Sequence, residues 1–326
     1  MSSAPAELVG RTLSRSWRWL LPCAFAPPML VAADVSGQHA VVFPESLALA
    51  FGAWVVRRPE ITVSRWRIAV LPSVCAAVGV AATRMPGPRW LVAIGVLTFA
   101  LVLLQLTRCR VSPAVSAGVL PVVFDVRGPA YLISVVVLCT IVAATTPRGT
   151  APVRLERWMP SRVAVSWVIG ATWIAVAGAS SMPPIAVAPP LLVASLEYVV
   201  AGAGPGTSWL RRCVLLAAAG LVGASCLRWI PIEWAAGTVA VVVVVLMAIA
   251  FALPLAPALA VSLVPFVAEV SDPLTAAGAI ALGAAVMHLS GWAVLVAGPR
   301  LVHGWRKRRL HKHPSDTARV LSPEAG

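Results

Sequence analysis

The chain has 326 residues, of which 59% are hydrophobic and 12% are charged, and its mean hydropathy is +0.88. One soluble domain does not bury that much apolar sequence, and apolar runs long enough to cross a membrane recur along the whole chain. The net charge of +14 resides mainly in the gaps between these runs, which is typical of orientation signals and not of a nucleic-acid surface. We therefore predict an all-α polytopic membrane protein whose partner is the lipid bilayer and not nucleic acid.

Twelve apolar segments follow one another along the chain, and we expect ten to twelve of them to cross the membrane. In order they cover residues 17–33, 39–56, 67–83, 90–107, 111–125, 130–146, 163–180, 183–200, 210–227, 234–253, 255–269 and 274–297. The longest basic gap divides them into two sets of six. We predict a first membrane half at 1–146, a basic cytoplasmic linker at 147–162, a second membrane half at 163–299 and a basic cytoplasmic tail at 300–326.

The two halves align without a gap when Leu47 is placed on Leu191, an offset of 144 residues. The identities include residue types that rarely agree by chance between Val- and Ala-rich segments. They are the pairs Arg67/Arg211, Gly79/Gly223, Arg84/Arg228, Trp90/Trp234, Pro113/Pro257, Pro121/Pro265 and Pro129/Pro273. The sequence therefore predicts an internal duplication with six segments in each half.

The basic residues predict the orientation of the segments. If the N-terminus is cytoplasmic and all twelve segments cross, only Arg84, Arg89, Arg127 and Arg228 of the 26 Lys and Arg residues lie outside. If segments 5 and 11 dip in and return, fewer basic residues lie inside. The positive-inside rule therefore favours six crossings per half, a parallel repeat, a place in the cytoplasmic (inner) membrane and both termini in the cytoplasm.

Segments 5 and 11, SPAVSAGVLPVVFD at 112–125 and APALAVSLVPFVAE at 256–269, are short and each contains an internal proline. About 15 residues of helix reach roughly 22 Å, against roughly 30 Å of hydrocarbon. Because proline removes a backbone donor, we expect both segments to be broken helices, and such pairs at matching positions are typical of a transporter binding site. The alternative is a short helix covered by its neighbours.

The elements of each half follow a common order. The second helix is of the type APPLLVASLEYVV (188–200), the third carries a Val-Gly pair (AAVGVAATR and LVGASCLR), and a long fourth helix leads into a proline-containing stretch. This order resembles the HPP family of integral membrane proteins. The family signature, roughly Thr-Arg-x-x-His-Pro-Pro-Ala-Gly-Ala, lies over TRCRVSPAVS at 107–116 and over LAPA at 255–258. Its histidine is Val111 in one half and Leu255 in the other.

The resemblance to the HPP family implies a pair of diverged helical membrane units. It also implies a link to membrane transport, which for that family has included nitrite transport in plastids. That activity does not carry over to a chain whose signature histidine is missing.

Ionisable groups at membrane depth cost roughly 2.5–3.5 kcal/mol each on insertion scales, so they are the first candidates for a functional site. The predicted substrate pathway contains Glu45, Pro113, Asp125, Glu197, Pro257, Glu269 and His288. Asp125 and Glu269 either flank the next helix or form a paired cation or proton site. Glu45 and Glu197 are either proton or substrate contacts or locally hydrogen-bonded acids, and His288 is either part of the pathway or bonded to a nearby carbonyl.

The outer residues Arg84 and Arg228 are either interfacial anchors or a pair of anion contacts. The sequence contains no recognised catalytic motif, and we predict no catalytic residues, no metal and no cofactor. The leading hypothesis is a transporter or permease for a small-molecule substrate, with its pathway between the two halves near segments 5 and 11. The alternatives are a membrane enzyme acting on a lipophilic substrate and a non-catalytic scaffold, and the oligomeric state stays open.

Overall fold

The computed structural model describes residues 17–56, 65–147, 158–180, 182–201, 209–268, 270 and 272–297, and these residues form helices and no strands. The first six α-helices are α1 (Ala26–Ser36), α2 (Glu45–Ala50), α3 (Arg65–Ala82), α4 (Arg89–Leu106), α5 (Pro113–Val123) and α6 (Pro129–Thr145). The next six are α7 (Pro160–Ala179), α8 (Pro189–Ala201), α9 (Trp209–Trp229), α10 (Glu233–Ala250), α11 (Ala256–Ala268) and α12 (Pro273–Trp292). Most of the predicted linker and all of the predicted tail lie outside the described residues.

Short 3₁₀ and π-helical stretches extend several of these helices. The 3₁₀ stretches are Trp17–Phe25, His39–Val41 and Pro184–Val187, and the π-helical stretches are Phe51–Val56 and Ala293–Ala297.

Eight helical stretches of the described chain are long and apolar enough to cross a membrane. They are Arg18–Ser36, His39–Val56, Arg65–Ala82, Arg89–Leu106, Pro160–Ala179, Trp209–Trp229, Glu233–Ala250 and Pro273–Leu295. Four apolar helices are shorter: Pro113–Val123, Pro129–Thr145, Pro184–Val200 and Ala256–Ala268. The hydrocarbon core contains no water to bond the backbone, and an α-helix satisfies its own N–H and C=O groups there. The prediction of a helical, multi-pass membrane protein is confirmed.

Helices α2, α5 and α11 form the centre of the bundle. Every residue from Pro113 to Val122 in α5 and from Ala256 to Phe266 in α11 is buried, and so is every residue of α2. The long helices surround them and bury only one side, so that large side chains such as Leu106, which is 71% exposed, face outward. A helix buried all round needs no amphipathic pattern, which explains why α5 and α11 are almost wholly apolar, with Ser116 and Ser262 as their polar residues.

The helices before residue 147 and those after residue 158 interlock. Helix α5 packs against α2 and also against α8, while α11 packs against α8 and also against α2. In the same way α7 packs against α4, and α1 packs against α10. The first two helices of each set therefore dock onto the fourth and fifth helices of the other set.

The expected break in segments 5 and 11 is wrong, because α5 continues through Pro121 and α11 through Pro265. Pro121 has no N–H to donate to the carbonyl of Ala117, one turn earlier in the helix. The hydroxyl of Tyr131 in α6 donates to that carbonyl instead, at 2.9 Å. Because Tyr131 satisfies this buried carbonyl, the helix need not kink at Pro121 to expose the carbonyl to another partner.

The connections that lead into α5 and α11 have the same backbone conformation. Arg108 and Ala252 are non-glycine residues with positive φ, at 50° and 49°. The N–H of Cys109 donates to the carbonyl of Leu104 at 3.0 Å, and that of Leu253 to Ala248 at 2.9 Å. A left-handed residue followed by such a bond ends a helix within one turn, so α4 and α10 stop and the chain reverses at once.

Close approach between α3 and α5, and between α9 and α11, depends on two glycines. A Cβ atom at Gly79 would collide with the backbone carbonyl of Gly118, and one at Gly223 with that of Ser262. In a membrane the hydrophobic effect does not drive helices together, so they associate through close packing. Small residues such as these glycines let the helix backbones approach closely.

We predict that Gly79→Ala and Gly223→Ala each destabilise the protein by about 1–3 kcal/mol, because the added methyl meets backbone and not a flexible side chain. The matched control is Gly95→Ala in α4, where a Cβ meets nothing within 4 Å and alanine favours the helix by up to about 1 kcal/mol. Thermal unfolding in detergent is followed with a thiol-reactive dye, since five of the six cysteines are buried. Equal melting temperatures for all three variants would contradict the packing.

Candidate functional site

Glu45 lies at the start of α2 with 1% of its surface exposed. Its Oε1 accepts a short hydrogen bond from the hydroxyl of Ser116, a buried residue in the middle of α5. Its Oε2 is buried and has no hydrogen-bond partner among the described residues. The carboxyl group is therefore half satisfied at the centre of the bundle.

Glu197 approaches the same helix from α8. The hydroxyl of Ser112 donates to its Oε1 at 2.6 Å. Ser112 stands at the position preceding α5, where a serine hydroxyl ordinarily caps the helix, but it makes no capping bond there. The hydroxyl is committed to Glu197 instead.

One face of α5 thus presents two serines to two glutamates. Ser112 and Ser116 are four residues apart, about 6 Å along a helix that rises 1.5 Å per residue, and residues at this spacing lie on the same face. Glu45 reaches α5 from α2 and Glu197 from α8, because α5 packs against both helices. The two predicted glutamates, distant in sequence, are brought to one helix face.

The aligned positions in the second half carry no such groups. Ala256 and Ala260 of α11 stand where Ser112 and Ser116 stand in α5, with the same offset of 144 residues. Pro189 is aligned with Glu45, and Ala53 with Glu197. Within the described part of the chain, the pair of serines and the pair of acids form one asymmetric site and not two equivalent ones.

The surroundings of Glu45 determine what it can do chemically. A full negative charge buried without a cation costs several kcal/mol, so in this enclosed conformation the site favours the neutral acid. A carboxyl with one unpaired oxygen can exchange a proton or meet a cation once water reaches it. Tyr131 and Cys139 of α6 lie within electrostatic range and supply no positive charge.

The described residues contain no cluster of three or more His, Cys, Asp or Glu side chains that could hold a metal ion. The two carboxyls that reach α5 each accept a hydrogen bond from a serine hydroxyl, and such carboxyls can exchange protons.

His288 lies in a second buried cluster, next to α8. Its Nδ1 is 2.9 Å from the carbonyl of Ala284 in its own helix, and its Nε2 is buried without a hydrogen bond among the described residues. Its ring lies 5.3 Å from the ring of Tyr198, over which the guanidinium of Arg212 sits at 5.5 Å. Tyr198 follows Glu197 in the chain, so this cluster adjoins the site without contacting Ser112 or Ser116.

Asp125 lies outside the bundle core, just after α5. Its carboxylate forms ion pairs with Arg127, at 2.9 Å, and with Arg89, and about a third of its side chain is exposed. The hydrogen bond from Arg127, with further help from Arg89, holds the pKa of Asp125 below its usual value. Asp125 thus lies at the surface of the protein. Its partner Arg89 was not among the predicted site residues.

The remaining predicted residues are spread over both ends of the bundle. Pro113 begins α5, and Pro257 is the second residue of α11, positions where proline favours a helix start. Arg84 and Arg228 are exposed, and Arg228 is within electrostatic range of Asp272, which caps α12. Glu269 lies outside the described residues.

A small cavity lies between α4, α5, α7 and α8. Its lining includes Val115, the residue before Ser116, as well as Ser166 of α7 and Ser195 of α8. Ser195 is 3% exposed, and its hydroxyl has no hydrogen-bond partner among the described residues.

Sequence reasoning missed Ser112, Ser116 and Ser195. The difference between SPAVS and its aligned stretch APALA is the signal that could have found the first two.

Comparison of the chain with protein-family models, with curated proteins and with solved structures gives no match.

We predict that Ser116→Ala alone destabilises the protein by about 1–3 kcal/mol, because it leaves a buried carboxyl without any partner. Glu45→Leu combined with Ser116→Ala should cost less than the sum of the single variants, by a coupling of about 0.5–3 kcal/mol. Ser73→Ala is the control, since that hydroxyl bonds only to the carbonyl of Ala69 in its own helix. Chemical denaturation of the four proteins measures the coupling, and strict additivity would contradict the contact.

We predict that Asp125→Asn lowers the free energy of unfolding by no more than about 1 kcal/mol at neutral pH, as exposed ion pairs do. Because the pKa of Asp125 is lowered in the folded protein, its contribution is present at neutral pH and is lost as the pH falls below about 4. Melting temperatures of wild type and variant should therefore converge in acid and in high salt. A loss of several kcal/mol would place Asp125 in the core network instead.

Proposed function

We propose that the protein is a membrane transporter for a small solute and that Glu45 and Glu197 couple transport to proton movement. The observation that carries this proposal is the convergence of two intramembrane carboxyls on Ser116 and Ser112, one turn apart on a central buried helix. Acids inside a membrane bundle are costly, and where they are kept they commonly mark proton relays or substrate pathways.

A buried carboxyl such as that of Glu45, with a partly buried one nearby, can act in a cycle. When the bundle is closed, the half-satisfied carboxyl of Glu45 is neutral and stable. When the bundle opens to water on either side, ionisation becomes favourable and the proton leaves. A solute whose binding changes that balance moves together with the proton, because coupling between two sites is reciprocal.

We also propose that the chain is a tandem duplication of six-segment units with all twelve segments crossing. Three structural pairs with the same 144-residue offset support it: the positive-φ residues Arg108 and Ala252, the close-approach glycines Gly79 and Gly223, and the reciprocal packing of α5 on α8 and of α11 on α2. Two interlocked units with a central site are the arrangement in which one unit rocks against the other during transport.

Each unit is proposed to be a diverged HPP-like unit, with the protein in the cytoplasmic membrane and both termini in the cytoplasm. The order of segments around α5 and α11 supports the first statement, and the position of the basic residues supports the second. In this orientation Ser112 lies toward the cytoplasmic end of α5, and Asp125 lies beyond its outer end.

Uptake into proteoliposomes tests the proposed function. Vesicles with an imposed pH gradient are incubated with a defined mixture of small organic acids, amino acids, sugars and inorganic anions, and their contents are measured by mass spectrometry. We expect at least one solute to accumulate above protein-free vesicles and to be lost on addition of a protonophore. Glu45→Gln and Glu197→Gln should each reduce that accumulation by roughly tenfold or more, within the range of typical coupling energies.

The matched control is Glu233→Gln, because Glu233 begins α10 at the surface, 3.6 Å from His39, and should transport as the wild type does. Uptake that is unchanged in both core variants would contradict the assignment of the site. A folded wild-type protein that accumulates none of the solutes would contradict transport itself.

A further inference from the structure

A groove on the bundle lies between α4 and α7. It has a volume of about 460 Å³ and is lined mainly by apolar side chains, among them Leu101, Val102 and Leu106 of α4 and Val163 and Ala164 of α7. Both helices are long and apolar enough to cross the membrane. The groove therefore faces the acyl chains of the bilayer and not water.

The polar side chains in the groove wall are already satisfied. The indole N–H of Trp167 donates to the hydroxyl of Thr98 at 2.8 Å, and the amide of Gln105 donates to the carbonyl of Trp158 at 3.3 Å. The groove wall is therefore mainly apolar, and an apolar chain is the occupant that its chemistry fits.

One side chain borders both this groove and the interior. Leu101 lines the groove and also the small internal cavity where Ser195 lies. Gly170 lines that cavity as well, and a Cβ there would press on Leu97 and Leu192 at 3.3 Å, so α4, α7 and α8 pack closely where they meet. Leu196 of the cavity lining precedes Glu197.

The interior end is polar and small. The cavity has a volume of about 10 Å³, close to the space of about 10–15 Å³ that one water molecule needs. The unpaired hydroxyl of Ser195, 3% exposed, is available there both to donate and to accept. A group as small as a hydroxyl can be held at that point, whereas a phospholipid headgroup is far too large.

We propose that the α4/α7 groove is a lateral entrance for an amphipathic, single-chain substrate dissolved in the bilayer, whose apolar chain lies in the groove and whose small uncharged polar end passes Leu101 to bond Ser195. This bilayer-dissolved ligand is additional to the water-soluble solute of the transporter proposed above, and its site goes beyond that function. The route ends at the cavity lined by Val115, Ser195 and Leu196.

Photolabelling in lipid nanodiscs tests the entrance without any gradient. The probe is a long-chain fatty alcohol with a diazirine on its chain, and labelled residues are mapped by mass spectrometry. We expect labelling concentrated on Val102 and Ala164, and a severalfold reduction in Ala164→Trp, which fills the groove. Val168→Trp is the matched control, because Val168 is 52% exposed on the same helix and does not line the groove.

A second variant tests the interior end. Ser195→Ala should weaken labelling by the fatty alcohol while leaving labelling by the matching alkane, which has no hydroxyl, unchanged. Equal weakening of both probes, or no weakening of either, overturns the role of Ser195.

Three results overturn the lateral entrance. One is labelling spread evenly over lipid-facing residues including Val168, and another is labelling unaffected by Ala164→Trp. The third is a groove that takes a diazirine phospholipid as readily as the alcohol, since that makes it a site for bulk lipid. The labelling needs neither a gradient nor Glu45. It can therefore fail while proton-coupled uptake succeeds, and it can succeed while proton-coupled uptake fails.

Discussion

The hydrogen bonds from Ser112 to the partly buried Glu197 and from Ser116 to the buried Glu45 are the interactions on which the centre of this protein depends. A carboxyl in a membrane bundle is tolerated only when protein atoms replace the hydration it has lost. Helix α5 supplies those atoms from one face, and it can do so for both acids only because it packs against α2 and α8 together. The interlocked arrangement of the helices and the polar site are therefore two aspects of one constraint.

The same constraint explains why the central helices α5 and α11 contain so few polar residues. A central helix has no lipid-facing or water-facing surface, so its polar groups must all be satisfied within the bundle. The Tyr131 hydroxyl that reaches the carbonyl left free by Pro121 is one solution. The glycines at which α3 meets α5 and α9 meets α11 are another, since they let backbones approach where side chains would hold them apart.

The helical membrane class, the segment positions and the two candidate glutamates follow from the sequence, because apolar length and the cost of a charge in lipid are local properties. The convergence of Glu45 and Glu197 does not follow, because it arises from packing between helices that are far apart in the chain. The prediction of a break at Pro121 failed for a related reason, since the compensating hydroxyl comes from another helix. The repeated prolines of segments 5 and 11 lie inside continuous helices, whereas Ser112 and Ser116, which are alanines in the aligned stretch of α11, bond the two glutamates.

The state of the Glu45 carboxyl is the most direct test of this account. Infrared difference spectroscopy of the protein in lipid, between neutral and alkaline pH, detects a protonated carboxyl by its C=O stretching band. The account predicts such a band at neutral pH in the wild type and in Asp125→Asn, and its loss in Glu45→Gln. A wild-type protein without the band at neutral pH, or a band that persists in Glu45→Gln, would contradict a neutral acid at the centre of the bundle.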